Sequence, residues 1–371
     1  MNKNVLQNMQ FCAPYPGNFM RSIWALDDKL RDKGIKTFYL LPFQAKELSW
    51  IKEVENFGKH NTIYYKNGRK IHDVRLMIQI IKRHNVGIIH THFGGIKDIL
   101  LTKLLKIVKP SLMDIIHHHN HYNKSNSAFK EVLKKIVMHG SIHIACSKDV
   151  SVNLIESGFK QKTVYTAENA IDFTRLDNYE PVAKESLGIK GDDKMFLMFG
   201  FDYLRKGVDI VVHAMQPLAG DKKIVLGIVL STNKELVKGR LTEILGGSIP
   251  DWIKLLPPRD DIATYYKIAD CFISASREEG FCYSVIEAIY AGCQTIQSKI
   301  RGHRFDIPNC KIFESESIDG LRECILGILN ESRKIKEEIN AEQKDYVIKK
   351  YRLDNWVDKI IDVYKGLIQN E

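Results

Sequence analysis

Short apolar segments alternate with stretches of helical periodicity from one end of the chain to the other. In the first half, the runs Val5–Cys12, Ile35–Pro42, Asn61–Lys66, Gly87–His92, Leu112–His118, Ile142–Ser147 and Thr163–Thr166 predict strands. Between the first two, Phe19, Ile23, Leu26 and Leu30 recur at spacings of four, three and four. That is the period of an amphipathic helix, and Gly34 supplies its stop. Strands that alternate with helices pair in parallel through right-handed crossovers, so this half reads as a doubly wound α/β domain.

The polar stretch Asp172–Lys194, with Pro181, interrupts the pattern. The alternation restarts with Met195–Phe201, Ile224–Leu230, Trp252–Leu256, Cys271–Ala275 and Gln294–Gln297, which predicts a second doubly wound domain. In the last helix, after Asp354 as cap, Val357, Ile360, Ile361, Tyr364 and Ile368 share one face. The expected domains are 1–172, completed by a C-terminal helix 354–371, and 195–353, with 173–194 as linker. Two Rossmann-like halves facing a cleft bind ligands at the carboxyl ends of their strands.

Composition narrows the class. With 371 residues, 44% hydrophobic and 27% charged, the chain is an ordinary globular one, which excludes disorder and collagen-like repeats. The net charge of +10 is uneven: residues 1–172 hold 26 Lys+Arg against 14 Asp+Glu, and the remainder 29 against 31. The first half therefore faces something anionic: nucleic acid, a phosphorylated ligand or a membrane surface. No apolar run approaches the ~18 residues of a membrane-spanning helix, and MNKNVLQNMQFC reads as a strand, not a signal peptide. None of the seven cysteines forms a CxxC pair, and Cys271, Cys282 and Cys293 fall in a strand, a turn and a helix end. They read as reduced thiols of a cytoplasmic protein. No Asp-x-Asp occurs, so the carboxylate pair that holds a divalent metal against a nucleotide diphosphate is missing.

Two segments carry chemistry. In SREEGFCYSVIEAIYAGC, Glu279 and Glu287 stand eight apart with Gly280 in the turn between them. A helix starting near Ser284 would offer free N–H groups and its dipole to a phosphate, and Glu287, one turn in, would accept ribose hydroxyls. Ser284-x-x-Glu287 also spells a capping box, in which Glu287 only satisfies the backbone. The second acid and the glycine turn favour a ligand site. Glu278 competes for the first acid, and the Gly-Phe that follows decides for Glu279. The other segment, FGFDYLRKGVD, places Arg205 and Lys206 at a strand-to-helix turn, where a planar fork and a point charge can clamp a diphosphate. Gly207 would allow close packing there.

The chain resembles, over essentially its full length, the family-4 retaining glycosyltransferases of the GT-B fold. The resemblance rests on EGFCYSVIE (the family's Glu-x7-Glu signature), LRKGVD, ACSKD, ENAID and the tyrosine-bearing last helix. It implies a second domain that binds a nucleotide sugar, a first that binds the acceptor, and a last helix crossing back to the first. By the same resemblance, Arg205 and Lys206 neutralise the donor diphosphate, Glu287 binds the ribose and Glu279 contacts the donor sugar. The backbone of Phe281, Cys282, Tyr283 and Ser284 faces the phosphates and sugar, Gly17 belongs to the first donor-side loop, and His119 in IIHHHN contacts the donor sugar near the reacting carbon. Three positions depart from the family pattern. The first loop has a single glycine (Pro16-Gly17-Asn18-Phe19), Asn169-Ala170 replaces Asn-Gly before the linker aspartate, and Cys282 replaces a glycine.

His90 and His92 alternate on one predicted strand, and His117, His118, His119 and His121 cluster at the next. Successive strand residues point to opposite faces, so a run within one strand cannot converge on a metal. No metal is expected, and polar lining of an acceptor cleft is the better reading. From Lys97 to Lys135 there are eight lysines and three acids, and Phe129, Val132, Leu133, Ile136 and Val137 share a helical face. Such a face ordinarily packs on its own domain. The alternative is an anionic bilayer, to which each nearby Lys or Arg adds about 1 kcal/mol. Aromatics do not interleave with the lysines, so nucleic acid is not an expected partner.

The sequence thus leads to a retaining, metal-independent hexosyltransferase with no cofactor. It would take a nucleotide-diphosphate sugar, a UDP-sugar first among donors, and a glycan or lipid-linked acceptor hydroxyl in cell-envelope, capsular or exopolysaccharide biosynthesis. The expected place is the cytoplasm, peripheral at the inner face of the plasma membrane. The rival readings are a nucleotide-sugar epimerase of the same architecture and a non-catalytic basic protein that binds membrane or nucleic acid.

Overall fold

Two parallel sheets organise the computed structural model, which describes residues 3–58, 61–65, 71–177, 179–220, 223–303 and 306–369; the side chains of 55–58, 71–73, 368 and 369 also lie outside the description. The chain divides into two units, Met1–Ala170 with Leu353–Glu371, and Ile171–Arg352.

The first unit contains β1 (Asn4–Met9), β2 (Thr37–Pro42), β3 (Thr62–Tyr65), β4 (Val86–His92), β5 (Met113–His118), β6 (Ile142–Ala145) and β7 (Val164–Thr166), in the order β3-β2-β1-β4-β5-β6-β7. Every pairing is parallel. β2 and β4 are buried along their whole length, as strands covered on both faces must be. One face carries the core of Val5, Met9, Ile88 and Ile115, and the other that of Leu6, Phe38, Leu40 and Ile89.

Helix Gly17–Arg31 buries Phe19, Ile23, Leu26 and Leu30 in the first core. The C-terminal helix Leu353–Gln369 adds Val357, Ile360, Ile361 and Tyr364 to the same core. Each such side chain contributes roughly 1.5–3 kcal/mol when fully buried, which is why this distant segment belongs to the first unit. Its first turn contains Asp354, so the helix begins one residue earlier than expected and Asp354 is not its cap. Ile368, expected on the same face, and Lys66, expected at the end of β3, lie outside the described side chains and residues.

The second unit contains β8 (Lys194–Phe199), β9 (Ile224–Val229), β10 (Ile253–Leu256), β11 (Cys271–Ser274), β12 (Gln294–Lys299) and β13 (Lys311–Glu314), ordered β10-β9-β8-β11-β12-β13. β13 was not expected. It is a four-residue edge strand in which Phe313 alone is buried, so no apolar run announces it. Several strands end before their apolar runs do. Gln10–Cys12 and Gly200–Phe201 leave the ladder while the chain stays apolar, because they turn into the loops at the carboxyl edge.

The stretch 173–194, expected as a linker, groups with the second unit. It forms 3-10 turns at Phe173–Leu176 and Lys184–Leu187. Leu176 and Ile189 are buried, Phe173 stacks on Tyr290, and Lys184 pairs with Asp270. Its polar composition concealed a segment anchored by a few apolar residues and ion pairs.

Both sheets reverse direction once. In the first unit the order turns between β1 and β4, and in the second between β8 and β11. The loops leaving these strands diverge at the carboxyl edge, which is where open α/β sheets bind ligands.

Candidate active site

In the second unit, the two segments singled out in the sequence leave the two strands at the reversal. β8 runs into Gly200–Gly207 and helix Val208–Met215; β11 runs into Ala275–Cys282 and helix Tyr283–Tyr290. Gly207 holds φ +66°, and a Cβ there would lie 2.1 Å from the Ala275 carbonyl oxygen. Only glycine lets the two loops close to backbone contact. The contact is fixed by the Arg277 amide donating to the Arg205 carbonyl at 2.8 Å.

This closure brings Arg205, Lys206 and Glu279 together. Lys206 Nζ donates to Glu279 Oε1 at 2.5 Å, Ser276 Oγ donates to the same oxygen at 2.8 Å, and an Arg205 guanidinium nitrogen stands 3.7 Å from Oε2. Burial alone would raise the carboxyl's pKa, but Lys206, Ser276 and Arg205 outweigh it and hold Glu279 below the usual carboxylate range. Arg205 is oriented by Asp202, which accepts from its Nε at 3.1 Å. Glu278, the competing acid, offers its backbone carbonyl to Arg205.

Glu287 is not a capping residue. Its helix starts at Tyr283 with Cys282 at the cap position and no side-chain cap. The Glu287 carboxylate is buried and accepts from Arg175 and, at 3.0 Å, from the Tyr266 hydroxyl. The Glu287 charge contributes to raising the Arg175 pKa, against burial, which acts to lower it. Arg175 lies in the segment expected as linker, so neither spacing nor composition pointed to it.

Phe281 and Cys282 end the turn, and Tyr283 and Ser284 open the helix. Phe281 rings stack edge-on with Tyr283 and Tyr351. The Cys282 side chain is buried beside Ser274 and Ser284, so the departure from glycine turns inward. A supporting loop went unnoticed in the sequence. Gly302, at φ +90°, has a Cβ position 2.0 Å from the Glu279 carbonyl oxygen. His303 next to it bonds Ser274 Oγ at 2.9 Å and the Ser298 carbonyl at 2.6 Å. These residues brace the Glu279 turn from the β12 side.

In the first unit, Gly17 begins helix Gly17–Arg31 after the loop that leaves β1. His119 follows β5 directly and is partly buried. It stacks on Phe93 at 4.0 Å and on His117 at 4.4 Å between ring centroids. With His117, His118, His121 and Lys134 it lines a cavity of about 470 Å³. Burial and neighbouring histidines push its pKa down to about 3, so its imidazole is neutral.

The pairing of strands gathers histidines that no single strand could bring together. β4 and β5 lie side by side with His92 opposite His117. One ring nitrogen each of His90, His92 and His117 therefore falls within 4.8 Å of the others. Alternation separates neighbours along a strand, whereas adjacent parallel strands bring residues of one face together. These nitrogens are already bonded to one another and to Gln7 and Tyr364.

With this geometry in view, residues 180–345 match the family described as Glycosyl transferases group 1. The chain carries a glycosyltransferase group 1 domain. An uncharacterized glycosyltransferase of Methanocaldococcus jannaschii is 23% identical over 368 residues, 95% of this chain and 96% of that protein. Among solved structures, a glycosyltransferase from Rickettsia africae is 20% identical with a TM-score of 0.81, covering 100% of both chains. HepE of Anabaena, solved with UDP and glucose, is 15% identical with a TM-score of 0.78, covering 98% of this chain and 100% of its own. The two Rossmann-like units of this chain are those of the GT-B fold.

Proposed function

We propose that this glycosyltransferase is a retaining, metal-independent hexosyltransferase that uses a nucleotide-diphosphate sugar, with a UDP-sugar as the first candidate. The acceptor would be a hydroxyl of a glycan or lipid-linked saccharide of the cell envelope, a capsule or an exopolysaccharide. The carrying observation is the closure of the Arg205–Lys206 loop onto the Glu279 turn at the sheet reversal. HepE, which shares the fold, was solved with UDP-glucose, which supports the donor class.

In this reading the donor diphosphate takes Lys206 from Glu279. Lys206 and Arg205 then stabilise the charge that develops on the leaving diphosphate, with the helix start near Ser284 adding backbone donors. Glu279, once released, accepts hydroxyls of the donor sugar. Glu287 meets the ribose, its carboxylate held in place by Arg175 and Tyr266. No carboxylate is assigned as nucleophile, so attack proceeds on the same face with the leaving phosphate assisting. The test is a thermal-shift series of nucleotide sugars in chelator. A donor at about 100 times its Kd should add about 2.7 kcal/mol of stability, and product should form only with acceptor present. Donor conversion without any acceptor would show an epimerase instead.

The proposed acceptor partner extends to an anionic membrane surface, at which the enzyme would sit peripherally on the cytoplasmic side. The ordinary expectation for helix Ala128–Met138, an apolar face packed on its own domain, is not met. Phe129 is 77% and Ile136 65% exposed, and Val132 and Leu133 are exposed as well. The contacting helix Ile96–Val108 exposes Leu100, Leu104 and Ile107. The three acids of this region are used internally. Asp98 accepts from the Gly95 amide, Asp114 pairs with Lys103 at 2.7 Å, and Glu131 takes the Tyr122 hydroxyl. Lys97, Lys124 and Lys130 remain at the surface. Among the described residues, no helix is long and apolar enough to cross a membrane. Flotation with vesicles should show binding to phosphatidylglycerol mixtures but not to pure phosphatidylcholine. Phe129→Ser with Ile136→Ser should abolish it while leaving turnover of a soluble acceptor unchanged. Equal flotation of wild type and variant would refute this surface.

A further inference from the structure

The buried histidines of the first unit form two hydrogen-bonded chains that meet at one side chain, Gln7 of β1. Gln7 is fully buried. Its Oε1 lies 2.9 Å from His92 Nε2, and His92 Nδ1 lies 3.2 Å from His119 Nε2. Its amide nitrogen reaches the Tyr364 hydroxyl at 3.4 Å, that hydroxyl lies 2.7 Å from His90 Nδ1, and His90 Nε2 lies 3.2 Å from His117 Nδ1.

All four imidazoles are neutral. Burial first, and then the neighbouring histidines, holds His90, His92 and His117 far below the usual range and His119 at about 3. A neutral imidazole has one N–H and one lone pair, so each hydrogen bond in a chain dictates the next. The Gln7 carbonyl can only accept, so His92 carries its proton on Nε2. His92 Nδ1 is then a lone pair, and His119 must donate to it from Nε2. His119 Nδ1 is left as an acceptor. On the other branch the Gln7 amide donates to Tyr364, whose hydroxyl donates to His90 Nδ1. His90 Nε2–H then donates to His117 Nδ1, and the proton of His117 falls on Nε2. That atom is buried without a hydrogen-bond partner among the described residues, so the chain stops there.

We infer that Gln7 is a positioning residue that sets, through His92, which nitrogen of His119 carries the proton. Rotating the amide by half a turn would reverse every proton in both chains at once, so one amide orientation selects one tautomer for the whole cluster. The consequence for chemistry rests on the sugar contact that the family resemblance implies for His119. With Nδ1 as acceptor, His119 takes a hydrogen bond from a sugar hydroxyl instead of giving one. The tautomer itself does not depend on that contact.

The test is long-range proton–nitrogen correlation NMR on the full-length protein labelled with ¹⁵N-histidine, with the His119 signals assigned by their loss in His119→Asn. In the wild type, the two ring-nitrogen shifts of His119 should lie far apart, with Nε2 protonated. In Gln7→Met, which keeps the length and removes both polar atoms, they should converge as the two tautomers mix. His92→Phe cuts the same branch one link later, should give the same convergence, and serves if Gln7→Met fails to fold. Unchanged His119 shifts in either folded variant, or protonated Nδ1 in the wild type, would overturn the proposal. A steady-state assay reads the contact separately. Gln7→Met should lower kcat about tenfold with KM within about twofold. Convergence of the shifts at unchanged kcat leaves Gln7's role standing and removes His119 from the donor site.

Discussion

Lys206→Ala should lower kcat by about 10²–10³-fold, the usual loss when one preorganised donor to a developing anion is removed. The substitution also strands Glu279, which is buried and, among the described residues, keeps Ser276 and the more distant Arg205. Removing one partner of a buried pair costs roughly 3–5 kcal/mol, and Arg205 should reduce that figure. Stability and turnover can be separated. The double variant Lys206→Ala with Glu279→Gln, which removes both charges, should recover most of the stability in urea titration and none of the turnover. A double variant that regains stability and turnover together would show that Lys206 only neutralises Glu279 and that the diphosphate is held elsewhere.

The second large effect is expected at Arg175, a residue that no motif flagged. Arg175→Met removes the cation paired with the buried Glu287 carboxylate, while the Tyr266 hydroxyl still donates to it. The expected cost is about 3–5 kcal/mol of unfolding free energy, seen as a lower urea midpoint at unchanged slope. Arg175→Met with Glu287→Gln should restore the midpoint, since a neutral amide can still accept from Tyr266. Donor affinity should fall in both, because neither holds an ionised Glu287 in place for the ribose. Wild-type donor affinity in the double variant would remove Glu287 from the donor site while leaving the ion pair as a structural element.

The two charged segments were legible because their chemistry is local. Arg205 and Lys206 are adjacent, Glu279 and Glu287 are one turn-plus-helix apart, and each segment follows an apolar run that ends in a glycine-bearing turn. Strand–helix alternation then placed both at the carboxyl edge of one sheet. What the sequence left open was the pairing of long-range partners. Arg175 lies 112 residues from Glu287, Gly302 meets a backbone atom of Glu279, and Gln7 meets Tyr364 across 357 positions. No periodicity encodes such meetings.

Two features lay beyond local pattern for the same reason. Alternation separates neighbours along one strand but does not foresee His90, His92 and His117 gathering across β4 and β5. The linker was read from polarity, although a few buried residues, Leu176 and Ile189 among them, decide to which unit a segment belongs. The amphipathic face of Ala128–Met138 was visible from spacing, but whether it is covered is a matter of neighbours, and it is exposed.

The sequence by itself determined the two doubly wound units, the return of the last helix to the first core, and the cationic and acidic loops of the candidate site. These follow from hydrophobic period and turn chemistry, which act over a few residues. Only the tertiary structure decided that Lys206 rests on Glu279, that Arg175 and Tyr266 hold Glu287, and that Gln7 joins the histidines. These depend on strand order and close backbone approach, and the strand reversal between β8 and β11 exists only once the sheet has formed.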